Sequence, residues 1–144
     1  MTQDTEQGTE QSIREWFRTW ERCIQNFDYA TVQTLMAEDV VAFSTLTNMM
    51  VGSDAYTSQQ LSAIWPNIRD FTFNLNQCHW GASGDLAWAM ITWDSTGFHP
   101  DGTSFPRPGR STVVFERRNG TWLAIHLHFS LAPETPPKTH GPRG

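Results

Sequence analysis

The chain has 144 residues, a formal net charge of −5, 38% hydrophobic and 17% charged residues, which suits one globular domain burying roughly two-thirds of its unfolded surface. The acidic balance and the lack of a basic stripe argue against nucleic acid and anionic membrane as main partners, leaving small molecules and proteins. Seven Trp and nine Phe are many for this length, and such rings line either a core or a pocket.

Residues 1–11 are polar and acidic with no apolar run, so they predict neither a leader peptide nor a membrane span but a disordered tail, and a cytoplasmic protein. Ser12 then opens a capping box with Glu15, and Ile13, Trp16, Phe17, Trp20, Cys23, Ile24 and Phe27 recur at helical spacing. Asp28 can cap a second helix carrying Val32, Leu35 and Met36, up to Ala37. Residues 40–43 are β-branched and aromatic and predict a strand. Gly52-Ser53-Asp54 breaks the chain and caps a third helix that runs through Trp65 and stops at Pro66.

Four strand-like runs follow, at 71–80, 86–96, 110–118 and 121–131. Asn119-Gly120 between the last two is a strong hairpin signal. Residues 134–144 are Pro/Gly-rich and predict a second disordered tail, so the folded domain is expected over 12–133. Helices first and an antiparallel meander afterwards make an α+β layout, with the helices on one face of the sheet. Cys23 and Cys78 match no zinc or CxxC spacing and read as two buried thiols rather than a disulfide.

This order, with AEDVVAF after the second helix and RRNGTWLAIHLHFSLAP at the end, resembles the nuclear transport factor 2-like superfamily. The ending is the specific part. A hairpin turn, Trp122, then His126-x-His128-x-Ser130 and Ala132-Pro133 are similar to SnoaL-like proteins and to the association domain of calcium/calmodulin-dependent kinase II. The resemblance implies a cone of three helices on a curved, mostly antiparallel sheet, a pocket between them, and a homodimer across the convex sheet face. It implies no particular reaction, since the fold hosts isomerases, cyclases, dehydratases and scaffolds. The steroid isomerase pattern puts its first-helix Tyr on Trp20 and its base on Ser44, so that chemistry is not expected. The arginines of the kinase pocket fall on Thr92, Val113 and Phe129, so the resemblance implies a neutral, apolar ligand such as a polyketide-like or terpenoid compound.

Strand alternation assigns faces. In the last strand Leu123, Ile125, Leu127 and Phe129 are assigned to the core, and Trp122, His126, His128 and Ser130 to the convex dimer face. In 86–96, Trp88, Met90, Thr92 and Asp94 are expected to face the helices, which makes Asp94 the candidate acid or base. The expected ligand-binding set is Trp16, Trp20, Phe43, Trp65, Met90, Thr92, Val113 and Phe129. His126 and His128 share a face, but a third metal ligand from His79 or His99 has no recognised spacing, so neither metal nor cofactor is expected. Arg107 and Arg110 flank a Pro-rich loop, read as solvated, and are given no catalytic part. The alternative to a ligand site is an assembly module with a vestigial pocket.

Overall fold

The computed structural model describes residues 2–141. Helix α1 spans Thr2–Asn26 and is followed at once by α2, Tyr29–Gln33, capped by the Asp28 carboxylate accepting from Thr31 N–H. Strands β1 (Met36–Phe43) and β2 (Met49–Val51) come next. A composite helical segment then begins as α3 (Ser53–Tyr56), widens into a π-helical turn at Thr57–Leu61, and tightens through α4 (Ser62–Ile64) to a 3₁₀ turn at Trp65–Asn67. The rest is sheet: β3 (Arg69–Phe73), β4 (His79–Ser83), β5 (Leu86–Phe98), β6 (Ser104–Pro106), β7 (Gly109–Arg118) and β8 (Thr121–Leu131).

The strands form one sheet in the order β2-β1-β8-β7-β5-β3, with β4 and β6 also paired to β5. Its pairings are antiparallel except that β1 runs parallel to β8. The result is an α+β domain whose α1 aromatic stripe lies on the inner sheet face. Trp16, Phe17 and Trp20 are buried there against Phe73, Phe115 and Phe129. Small residues on β5, Ala87 and Ala89, sit on that same buried face and let the rings come close.

Four sequence expectations change. The first helix begins at Thr2 rather than at Ser12, so residues 2–11 are not a loose tail. Thr9 is buried, Glu10 pairs with Arg14 at 3.1 Å, and Arg14 Nη1 donates to Leu75 O at 2.9 Å. The second helix ends at Gln33, because the chain is already β1 from Met36. The run 71–80 is two strands, parted by a 3₁₀ turn at Leu75–Gln77. The C-terminal segment is tied down as well, since Thr139 Oγ1 donates to Asn67 O, Phe98 N–H to Thr139 Oγ1 and His140 N–H to Phe98 O. Met1 and residues 142–144 lie outside the described residues.

Two face assignments also change. Over residues 86–95 of β5 the buried residues are Ala87, Ala89, Ile91, Trp93 and Ser95, while Trp88, Met90, Thr92 and Asp94 point outward. Both alternating sets carry apolar side chains, and the smaller set takes the inside because α1 fills the space. In β8 the register shifts between the pairs Val114↔His126 and Phe115↔Ala124, leaving Ile125 as an extra residue. That bulge reverses the faces on its N-terminal side. Ala124 is buried, and Trp122 packs against the core under the Arg117 guanidinium instead of joining His126 and His128 outside.

Gly109 marks the closest approach in the sheet: a Cβ there would lie 2.1 Å from Trp93 Cζ2 and 2.4 Å from Ser130 O. Gly109→Ala is therefore expected to displace the Trp93 indole and cost about 1–3 kcal/mol. Urea unfolding should show a lower midpoint with an unchanged slope, and an unchanged midpoint would mean that Trp93 is not held as described.

Candidate functional site

Between the helical segment and the inner sheet face lies a cavity lined by aromatic and aliphatic side chains, among them Trp20, Ile24, Leu61, Trp65, Phe71 and Phe129. Its free space is about 30 Å³, room for roughly two water molecules. A polar group forms one part of the wall: Ser44, Thr45, Tyr56, Gln60 and Arg107.

Each of these polar side chains is placed by a local feature. The π-helical turn puts Gln60 inward, 2% exposed, where Oε1 accepts from Leu46 N–H and Thr47 Oγ1 and Nε2 donates to Thr45 Oγ1 at 3.1 Å. One extra residue in a helical turn is a recurrent device for presenting a side chain to a site. Tyr56 is buried and hydrogen-bonded to Ser44, and burial drives its hydroxyl far above the ordinary phenol range, so it stays protonated.

Arg107 lies between Pro106 and Pro108, and the sheet holds its backbone. Its N–H donates to Ser95 O at 2.8 Å, and Ser95 Oγ donates back to Arg107 O at 2.7 Å. Residues opposed in an antiparallel ladder share a face, so the Arg107 side chain enters on the buried Ser95 side. It is 3% exposed, with Nη2 donating to Thr45 Oγ1 at 3.2 Å and its guanidinium 5.8 Å from the Trp93 ring centre. Burial pushes its pKa down to about 10; it remains a cation at neutral pH.

Of the residues expected to bind ligand, Trp20, Trp65 and Phe129 line the cavity. Trp16 and Val113 are in the core beside it; the Trp16 indole is committed to Leu35 O at 2.9 Å. Met90 and Thr92 are on the outer face because β5 is turned the other way, and Thr92 Oγ1 accepts there from Asn74 Nδ2. Phe43 is also outside, edge-on to His126 and His128 at 5.0 and 5.3 Å. Asp94 is exposed on that face, opposite Thr72, so it is not an inward carboxylate. His126, His128 and Ser130 do lie on the outer face; His126 Nδ1 is 2.7 Å from Val41 O, and Arg110 Nε donates to Ser130 Oγ.

Sequence reasoning passed over Arg107, Thr45, Tyr56 and Gln60. The available signal was the Pro-Arg-Pro setting of Arg107 directly before a strand, which fixes the backbone on both sides of one cation. Among the described residues the cavity wall has no Asp, Glu or His, so it offers no base that titrates near neutral pH.

The model of the SnoaL-like domain matches residues 13–134. The chain belongs to the SnoaL-like family. With it the chain falls in the nuclear transport factor 2-like superfamily, as several solved structures of similar fold also indicate. A nuclear transport factor 2-like protein of unknown function from Pseudomonas putida is 28% identical, covering 86% of this chain and 87% of its own, with a TM-score of 0.72. The association domain of calcium/calmodulin-dependent kinase II from C. elegans is 18% identical over 88% of this chain and 98% of its own, TM-score 0.68. A ketosteroid isomerase-like protein from Erwinia carotovora is 17% identical over 85% and 95%, TM-score 0.71. No curated protein sequence matches. The two lower identities speak for the fold alone. No helix among the described residues is long and apolar enough to cross a membrane.

A buried cation without an ionic partner opposes folding, and a well-packed apolar side chain of similar length removes that burden. Arg107→Met is thus expected to raise stability by about 1 kcal/mol or more. A higher denaturation midpoint would agree, whereas a loss of similar size would mean that Arg107 acts as a structural link to Thr45.

Proposed function

We propose that this SnoaL-like domain binds a small, largely apolar molecule in the cavity between its helices and the inner sheet face. The observation that carries this is an aromatic-walled space into which a few polar side chains are built by special backbone features: a π-helical turn for Gln60 and a Pro-Arg-Pro segment for Arg107. Apolar walls with a small number of placed polar groups are the usual form of a small-molecule site.

Binding is favoured over proton-transfer catalysis. Ser44, where the isomerase pattern keeps its base, is hydrogen-bonded to a phenol that stays protonated, and Asp94 is on the far side of the sheet. A proton transfer needs a base within hydrogen-bond reach of the substrate, directly or through one water. The wall supplies donors instead.

The outer sheet face supports a second element of the reading, a homodimer. Leu86, Trp88 and Met90 are 44%, 40% and 41% exposed on β5, and with Phe43, His126 and His128 they make a half-apolar surface of the kind that self-association covers. The same face would serve an assembly module, as in the kinase association domain. The ligand reading is preferred because an assembly role gives no reason to bury Arg107.

Benzyl alcohol, a neutral probe, should shift the methyl signals of Ile24, Leu61 and Ile68, which line the cavity, in a ¹³C-labelled sample. Asp94→Asn should leave those shifts unchanged. Movement of methyls elsewhere with these signals still would remove the cavity reading, and loss of binding in Asp94→Asn would restore Asp94 to the site. For the outer face, sedimentation velocity at micromolar concentration should show a species larger than 16.4 kDa, reduced toward monomer by Trp88→Glu. A monomer in the parent protein would remove the dimer.

A further inference from the structure

Two residues that line the cavity carry a buried hydrogen-bond donor with no acceptor in the protein. Arg107 Nε and Trp93 Nε1 are both buried and unpartnered, and both residues line the same space, with the guanidinium near the indole ring. A third donor is close. Thr45 Oγ1 already accepts from Gln60 Nε2 and from Arg107 Nη2, and a hydroxyl has two acceptor sites and one proton. Its acceptor sites are therefore filled, and its proton is left to give.

Among the described residues no protein group balances this excess of donors. The arginines in ion pairs are Arg14, Arg22, Arg117 and Arg118, and among the described residues the cavity wall carries no carboxylate. Leaving a donor buried and unmade is more costly than a typical hydrogen bond is worth, and an unpaired buried charge is costlier still. Yet Ser95 grips the Arg107 backbone by two hydrogen bonds, one through its carbonyl and one through its hydroxyl, that hold the side chain inside. A guanidinium on a long flexible stem would otherwise reach water easily.

We infer that the molecule taken by this cavity is a small organic monoanion, with an aromatic or branched apolar body against Trp20, Trp65 and Phe129 and a carboxylate received by Arg107 Nε. The inference rests on the reading of this cavity as a ligand site and adds the chemical class of the ligand. One cation pairs with one negative charge; a phosphate dianion would leave charge uncompensated among apolar walls. Guanidinium suits the task because it stays charged when buried and its N–H groups lie in one plane with the carboxylate oxygens they meet. The charge does not come from the positions where the kinase pocket keeps its arginines. Thr92 faces outward, Val113 is in the core and Phe129 contributes only a ring.

The test compares two probes of nearly equal shape, benzoate and benzamide, at fixed ionic strength. Wild-type protein is followed through the ¹⁵N–¹H signal of Arg107 Nε and the methyls of Ile24 and Leu61. Benzoate is expected to shift all three and to bind about tenfold or more tightly than benzamide, the margin a charge-assisted hydrogen bond provides. Arg107→Met should abolish that preference while retaining benzamide binding. Equal affinities with a still Arg107 signal would overturn the anion inference and leave a cavity for neutral ligands. If neither probe reaches the cavity methyls, both the inference and the cavity reading fall. Should Arg107→Met not fold, the wild-type Nε signal and the affinity ratio decide the matter alone.

Discussion

Trp20 is stacked between Trp16 and Phe129, with ring centres 5.1 and 5.6 Å away, and through that stack the first helix is joined to the last strand. Trp65 meets the same indole edge-on at 6.4 Å, which adds the composite helical segment. Burial of such rings supplies much of the favourable free energy in a domain of this size, and their mutual geometry adds to it. The stack also sets the position of the cavity, because Trp20, Trp65 and Phe129 each present part of a ring to it. Core and site are consequently one aromatic cluster, and α1 cannot move off the sheet without opening the cavity.

The donor-rich end of the cavity is assembled differently, by backbone irregularities rather than by ring packing. Gln60 arrives by the π-helical turn, Arg107 by two flanking prolines, and the 44–47 loop is brought in because Gln60 hydrogen-bonds to three of its residues. Trp93 is brought flat across Gly109, which has no Cβ to hold it away. Each device works against local regularity, and local conflicts of this kind concentrate at functional sites. A cavity whose wall runs against both helix and strand regularity, and also against charge burial, is poorly explained by core packing.

Much of the architecture was legible in the sequence, and most of the site was not. The helical stripe of α1, the Asn119-Gly120 hairpin and the helices-then-strands order lead to the right fold. Face was harder. On β5 both alternating sets are apolar, so period two does not say which is inside; Ala87 and Ala89 are inside because α1 needs room, a fact about the helix rather than the strand. On β8 a single extra residue at Ile125 reverses the face of Trp122, and no residue type there announces a bulge. Arg107 is the instructive case: a lone arginine in a Pro-rich loop is usually solvated, and only its pairing with Ser95 shows that it points inward.

The family resemblance leads to a neutral pocket because the arginine positions it carries over are occupied here by Thr92, Val113 and Phe129. That inference follows residues aligned on strands, whereas the cation sits on the connection between β6 and β7. A cone of helices on a sheet offers many points from which a side chain can enter the same space, so the fold fixes where a ligand lies but not which strand supplies its partner. The small volume of the cavity adds a constraint. With about 30 Å³ free, a ring-sized ligand must displace wall side chains, and Trp65, at the start of the 3₁₀ turn and stacked on Tyr29 at 5.1 Å, stands between the cavity and α2. Asn67, in the same turn, is held by Thr139 of the C-terminal segment. Opening at this turn therefore works against both the ring stack and that hydrogen bond, and the work lowers the apparent affinity of every ligand by the same factor. The shortage of space thus weighs on ring-sized ligands alike, and the discrimination among them is left to the unpaired donors inside.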